Sequence, residues 1–308
     1  MMEKEELTGF IKSEALRLGF AVCGIAKAGN VSEDTIERYN GWITDEHHGT
    51  MQYLQRNCDK RFNPSALVEG CRSIVVVAMN YCPQCPVEGI SGYAIGKDYH
   101  KAVKDRLFTL LKSIQEVMPV KGRAFCDSAP VLERYWATRA GIGWIGRNRQ
   151  LTIKGKGSYF FIGELLLDTE LCYDNATERD FCGTCSRCID SCPTGALSAD
   201  GFDARKCLSY LTIEHRGELP ENIGEKMGKT FYGCDVCLKA CPHNRFATPC
   251  DAEEFTPSEE LLSMDAGKWK GLTKEQYDRL FTGSAVERCG FEQLKRNISA
   301  LKKGNSQE

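Results

Sequence analysis

Cysteine is the residue type whose number and spacing point most directly to chemistry: the 308-residue chain has 17, eight of them between Cys182 and Cys241. Cys182-Gly-Thr-Cys185-Ser-Arg-Cys188-Ile-Asp-Ser-Cys192-Pro193 is the C-x2-C-x2-C-x3-C-P run of bacterial-type two-cluster ferredoxins, in which the fourth cysteine ligates the other cluster. Its partner is Cys234-Asp-Val-Cys237-Leu-Lys-Ala-Cys241-Pro242, in which the counterpart of Cys182 is Phe231. One ligand is therefore missing, and Cys207, between the runs, is the economical substitute. The spacing predicts one [4Fe-4S] cluster on Cys182, Cys185, Cys188 and Cys241, and another on Cys192, Cys207, Cys234 and Cys237. Two four-cysteine zinc sites are the rival, but zinc modules present separated C-x2-C pairs rather than triplets with crossed fourth ligands. Interleaved clusters pass single electrons and do no substrate chemistry themselves.

Other candidate motifs are weaker. Cys82-Pro-Gln-Cys85-Pro has redox-pair spacing but reads as a loop, because prolines flank it and no helix pattern follows. The remaining cysteines read as small buried hydrophobes. Gly141-Ile-Gly143-Trp-Ile-Gly146 follows a helix pattern and precedes a strand, the reverse of a dinucleotide-binding context. Asp45-Glu-His47-His48-Gly49 only approximates a cobalamin-ligating pattern and reads as a surface turn. Residues 134–156 carry Arg134, Arg139, Arg147, Arg149, Lys154 and Lys156 without an acid, interleaved with Tyr135, Trp136 and Trp144. Such a mixture suits phosphate contacts and base stacking in an unpaired RNA loop, and equally a solvated face.

These residues need elements to position them. The apolar spacing of Leu7, Phe10, Ile11, Ala15 and Leu18 predicts an amphipathic helix ending near Gly19. The run Ser73 to Ala78 predicts a strand covered on both faces. Val103 to Val117 predicts a long helix, and a further helix is expected from Asp127 or Ser128 with Pro130 in its first turn. Leu151–Ile153 and Tyr159–Leu167 around Lys154-Gly-Lys-Gly157 predict a hairpin in a mixed sheet. The expected domains are an α/β layer at 1–170, a cluster module at 171–250 and a C-terminal segment at 251–308, too sparse for its own core, that wraps the other two. With 42% apolar and 27% charged residues the chain is globular, and a net charge of −2 leaves nucleic-acid binding to a local patch. The opening Met-Met-Glu-Lys-Glu-Glu has no signal-peptide core and no apolar run spans a bilayer, so a cytoplasmic protein without membrane contact is expected. A cluster module needs only a fraction of this length, which favours an enzyme over a simple carrier.

Gly122-Arg-Ala-Phe-Cys-Asp127-Ser-Ala-Pro-Val-Leu-Glu133-Arg134, running into Ala140-Gly-Ile-Gly-Trp-Ile-Gly-Arg-Asn148, is a second unusual segment. Together with Asp59-Lys-Arg61, Gly96-Lys-Asp-Tyr-His100, Cys207-Leu-Ser-Tyr-Leu-Thr-Ile-Glu214 and Tyr232-Gly-Cys-Asp-Val-Cys237, it resembles the epoxyqueuosine reductases, cobalamin-dependent iron-sulfur enzymes of tRNA queuosine synthesis, over residues 5–300. The resemblance implies an α+β protein: a nitroreductase-like α/β layered cobalamin-binding domain, a two-cluster ferredoxin domain and a helical C-terminal tail, in the compact form without a helical-repeat domain. It implies reduction of epoxyqueuosine to queuosine at the anticodon wobble position, the last step of that synthesis. By the same carry-over Asp127 is the catalytic acid, Arg61, Asp127, Leu151, Ile162 and Ser209 contact cobalamin, and Glu214 and Gly217 face the tRNA anticodon stem-loop. The expected partners are that tRNA and a protein electron donor such as flavodoxin or ferredoxin, with a monomeric enzyme.

Epoxide to alkene consumes two electrons and two protons and releases water, so the site needs a strong reductant beside a proton donor. An Asp with an ordinary pKa near 3.9 needs an apolar setting, here expected from Phe125 and Ala129, to act as an acid near neutrality; the plain alternative for Asp127 is a helix cap. Two other readings stay open: a reductive dehalogenase-like cobalamin enzyme, and a non-catalytic ferredoxin-type carrier.

Overall fold

The computed structural model describes residues 2–304; the ends of the expected outer segments, residue 1 and 305–308, lie outside the described residues. The chain opens with helix α1 (Lys4–Arg17) and strand β1 (Val22–Lys27), followed by α2 (Glu33–Thr44) and the short α3 (Cys58–Phe62). Strand β2 (Ser73–Asn80), α4 (Tyr99–Val117), β3 (Gly122–Phe125), α5 (Glu133–Arg139), β4 (Trp144–Ile145), β5 (Leu151–Thr152) and β6 (Phe160–Leu167) complete the first layer system. The sheet order is β1-β2-β6-β3, and every neighbouring pair is antiparallel.

The two central strands are apolar on both faces because helices cover both. Val75, Val77, Leu165 and Leu167 join Leu7, Ile11, Leu107 and Ile114 in a core under α1 and α4. The alternate residues, Ile74, Val76, Ile162 and Leu166, join Trp136, Ala137 and Ile142 under α5. By the same two-residue alternation Glu164 of β6 faces α5, and it is fully buried.

Three expectations need correction. The sheet is antiparallel rather than mixed. The 151–167 hairpin does not form: β6 pairs with β2 and β3, and β5 pairs with β4, with Gly143 packed so closely that a Cβ would stand 2.2 Å from the Thr152 carbonyl. Eight-residue strands in the sheet centre bury far more apolar surface than a local turn fixes. The helix expected from Asp127 begins instead at Glu133: Asp127 takes a left-handed backbone (φ 57°), and its carboxyl is engaged by Tyr99 and His100 rather than by the first N–H groups of a helix.

The cysteine module is mostly loop, with short helices α6 (Arg187–Asp190), α7 (Leu208–Ile213), α8 (Ile223–Met227) and α9 (Val236–Lys239). Its apolar residues Leu211, Ile213, Met227, Phe231 and Tyr232 share one core with Trp269, Tyr277, Phe281, Leu294 and Ile298 of the C-terminal segment. Polar side chains fasten that segment at its base. The buried Asn297 amide donates to the carbonyls of Thr212 and Phe231, and Arg296 donates to those of Leu211 and His215.

Candidate active site and cluster module

The cysteine module brings the first expected ligand set together: Cys182, Cys185, Cys188 and Cys241 line one cavity of about 90 Å³ with Gly146, Arg147 and His243. Four cysteines around one shared space, at the ligand spacing of the two runs, suit a polynuclear iron-sulfur core. A buried indole supports the fit. Trp144 Nε1 has no oxygen acceptor, and its N–H, like the backbone N–H of Arg147, is directed at the Cys182 sulfur. Such N–H groups stabilise a ligated thiolate.

The second set is also adjacent in space. The charge of Cys234 is felt with those of Cys207 and Cys192, and Cys237 feels Cys234, Cys207 and, from the first set, Cys188. Burial pushes the Cys237 thiol up to about 12 and that of Cys234 to about 11, so loading metal must displace protons from both. At Cys192 burial acts the same way but is outweighed by N–H groups of Leu197, Thr194 and Ala196, which hold the thiol below its usual range. Cys207 precedes α7, where its sulfur receives the first-turn N–H groups of Tyr210 and Ser209.

From this set a row of tyrosines leads into the α/β layers. Tyr232, two residues before Cys234, places its hydroxyl 3.5 Å from that of Tyr93; the Tyr93 and Tyr99 rings lie 6.0 Å apart; and the Tyr99 hydroxyl donates to Asp127 Oδ2 at 2.6 Å. The same oxygen lies 3.0 Å from His100 Nε2, and the other ring nitrogen, Nδ1, lies 2.7 Å from Asp98 Oδ1. Asp98 caps α4, accepting the His100 N–H, so one turn of helix presents Asp98, Tyr99 and His100 to a loop 27 residues downstream.

Asp127 is 56% exposed even though charged groups surround it: His100 and Arg134 act on it, and it acts on Tyr53 and Arg288. It therefore stands in an open cleft rather than on a convex surface. The expected apolar setting is not what governs it. Although burial opposes the charge, the hydrogen bonds from His100 and Tyr99 outweigh burial and hold the carboxyl down at about 2. Burial likewise opposes charge on His100, but its bonds to Asp127 and Asp98 raise it to about 9. Near neutrality the proton sits on the imidazole. Burial and the Asp127 charge keep Tyr99 a neutral donor, far above its usual range.

Behind Asp127 lie two more carboxyls. Glu133 accepts the Asp127 backbone N–H and is raised to about 8, by burial first and the Asp127 charge second. Glu164, beside Glu133, is also raised far above its ordinary range, by burial and by Glu133. Neither Glu164 oxygen meets an N–H or O–H donor, so a proton between the two carboxyls supplies the missing one.

The other expected contact residues divide between the walls. Arg61, buried in α3, donates to the Tyr53 carbonyl at 3.3 Å and so supports the loop carrying Tyr53. Leu151 and Ile162 are buried under α5, and Ser209 sits half-buried in α7 beside Cys207. Glu214 accepts a two-pronged bond from Arg288 (2.5 and 3.0 Å), and the Gly217 carbonyl accepts from Arg296. Tyr53, Glu164 and Arg288 carried no sequence signal, whereas Glu133 lies in the segment on which the family resemblance rests. Tyr99 and His100 had one, adjacency to the helix cap Asp98.

Comparison with known proteins matches this arrangement along its whole length. Residues 61–128 fit the family model described as epoxyqueuosine reductase QueG, and residues 181–244 fit that of the 4Fe-4S double cluster binding domain. The epoxyqueuosine reductase of Cyclobacterium marinum is 42% identical over 306 residues, covering 97% of each chain. The chain belongs to the epoxyqueuosine reductase family. A crystal structure of an epoxyqueuosine reductase with an epoxyqueuosine-modified tRNA-Tyr stem loop superposes with a TM-score of 0.86 at 25% identity, covering 97% of this chain and 81% of that one. The Bacillus subtilis enzyme, with its catalytic aspartate loop swung out of the active site, matches with the same score, identity and coverage. In this chain three residues hold the Asp127 loop: the Glu133 carboxyl accepts its backbone N–H, and Tyr99 and His100 bond its side chain.

Proposed function

We propose that this reductase converts epoxyqueuosine to queuosine in the anticodon stem-loop of a tRNA, with cobalamin in the Asp127 cleft and two [4Fe-4S] clusters on the cysteine sets assigned above. The observation that carries it is the His100–Asp127 pair, exposed in a cleft that the Tyr232–Tyr93–Tyr99 contacts join to the Cys234 segment. Proton and electron delivery thus meet at one place. Asp127 is 56% and Tyr53 46% exposed, so both side chains can be reached by a bound cofactor and substrate.

Cobalamin held there would supply, in its reduced form, the two electrons that breaking the epoxide carbon–oxygen bonds requires. The chain's own residues supply the rest. His100 holds one proton near neutrality, Asp98 fixes which way its ring faces, and Asp127 Oδ2 passes that proton to the epoxide oxygen; the partly exposed ring then takes up a second proton from solvent and delivers it by the same route, so that the oxygen leaves as water. Tyr99 keeps Asp127 oriented between transfers. Arg61 positions the Tyr53 loop, and Leu151, Ile162 and Ser209 line the corrin. Glu214, paired with Arg288, and Gly217 lie on the tRNA side, as does Arg134, which also donates to the Arg149 carbonyl. The electrons come from a carrier protein, and the enzyme acts as a monomer in the cytoplasm. No helix among the described residues is long and apolar enough to cross a membrane.

The test is to purify the protein anaerobically from cells supplied with cobalamin, measure metals, and incubate it chemically reduced with an epoxyqueuosine-modified stem-loop. About eight iron and one cobalt per chain, with conversion to queuosine, is the expected result. Iron without cobalt and no conversion would leave only an electron carrier; zinc in place of iron would overturn the redox reading.

A further inference from the structure

The basic run at 134–156 is split by the fold. Arg134 turns toward Asp127, whereas Arg147 donates to the Gly183 carbonyl at 2.7 Å, in the loop between the first two cluster cysteines. Lys154 and Arg179 both stack on Phe181, at 5.5 and 5.2 Å from the ring centroid, immediately before Cys182. The turn carrying Lys154 and Lys156 packs on Asn244, so that Arg245 follows on the same rim, while Arg187 lies between Cys185 and Cys188. Among the described residues Arg147, Lys154, Lys156, Arg179, Arg187 and Arg245 form no ion pair. Asp180 and Asp190, which accept the Cys182 N–H and the Ser186 hydroxyl, keep their negative charge, so the six cations of these segments outnumber those two carboxylates. Two exposed apolar side chains belong to the same segments, Ile145 (40%) and Phe246 (44%).

We propose that this rim around the Cys182–Cys185–Cys188–Cys241 cavity is the docking face for an acidic one-electron carrier protein, and that electrons enter the enzyme through that cluster. The inference rests on the redox reading above and adds the surface and the partner's charge. Unpaired cations around apolar contacts form a face complementary to a protein with carboxylates around its own redox centre. A chain with net charge −2 has no global field to attract such a partner, so a local patch has to steer it. The location also fits the wiring. The second cysteine set adjoins the Tyr232 end of the cleft, and Cys237 lies near Cys188, so the first set is the outer one. Exposed Gly183 and Thr184 are what separate it from solvent at this edge. Substrate and donor then occupy different faces, and a carrier can dock while tRNA is bound.

The experiment uses flavodoxin hydroquinone as the acidic probe, mixed anaerobically with cluster-loaded holoenzyme in a stopped-flow instrument. For wild type the second-order rate of cluster reduction should fall steeply as salt is raised. Combined Lys154→Glu, Lys156→Glu and Arg179→Glu should lower that rate at least tenfold at low salt and flatten the salt dependence. Iron content, reduction by photo-excited deazariboflavin (an uncharged reductant) and stem-loop affinity should all stay at wild-type values. A donor rate untouched by charge reversal, or a loss of stem-loop affinity in parallel with it, would overturn the proposal, the latter assigning the rim to RNA. If the triple variant loses iron, Lys156→Glu alone, at an exposed turn residue, decides: the donor rate at low salt should fall several-fold, and an unchanged rate would overturn the proposal. Failure of the functional reading is a separate result: wild type reduced by deazariboflavin would not convert the modified stem-loop at all.

Discussion

Removing the charge of Asp98 tests whether the imidazole is the resting place of the proton. His100 lies 2.7 Å from Asp98 through Nδ1 and 3.0 Å from Asp127 through Nε2, and its pKa is raised from 6.5 to about 9. That rise of about 2.5 units corresponds to about 3 kcal/mol favouring the charged ring, divided between two carboxylates. Asp98 is 38% exposed, so screening holds its share below half, at about 1 unit. Asp98→Asn keeps a side-chain oxygen that can cap α4 and loses only the charge. The sign follows from the raised value: the ring is charged well below about 9 and loses its proton as pH rises through it, so the variant's alkaline limb should move down to about 8. At pH 8.5 the protonated fraction then drops about threefold, whereas at pH 6.5 it falls by only about 3%. The assay is single-turnover conversion of the modified stem-loop by pre-reduced enzyme across pH 6 to 9.5, with His100 titrated by ring NMR in parallel. An alkaline limb that stays near 9 while the rate drops uniformly would refute the reasoning, because it would make Asp98 a structural residue only.

Four further outcomes follow from the same geometry. Asp127→Asn should retain iron and cobalt but lose turnover by about 10² to 10⁴; an undiminished rate would remove Asp127 from the chemistry. Glu164→Gln should flatten a pH dependence of stability: because Glu133 and Glu164 are raised in the fold, wild type loses stability as pH rises from about 4.5 through about 8, and a melting series over that range checks it. Cys207→Ala should leave about four iron per chain, whereas about eight would mean that the second cluster finds its fourth ligand elsewhere. Trp269→Ala, in the core shared by the cysteine module and the C-terminal segment, should cost about 3–5 kcal/mol by denaturant unfolding.

The cluster chemistry was legible in the sequence because its ligands are set by short-range spacing. Triplets three residues apart wrap a cluster wherever the chain goes, and the mismatch at Phe231 is why Cys207 is proposed as the fourth ligand of the second set. The apolar run in β2 and the helical spacing in α1 and α4 were legible for a similar reason, since burial follows period. Strand pairing was not: β6 at the centre of an antiparallel sheet, and β4 with β5 outside it, depend on which distant surfaces exclude water together. The proton inventory was hidden most completely. Nothing local to Asp127 shows that His100 and Tyr99 donate to it, or that Glu164, on another strand, shares a proton with Glu133. An ionisation state is set by desolvation and by charges a few ångströms away, whatever their separation along the chain. The basic run makes the same point, for cations that read as one patch divide once the fold has turned them, Arg134 toward Asp127 and Arg147, Lys154 and Lys156 toward the first cysteine set.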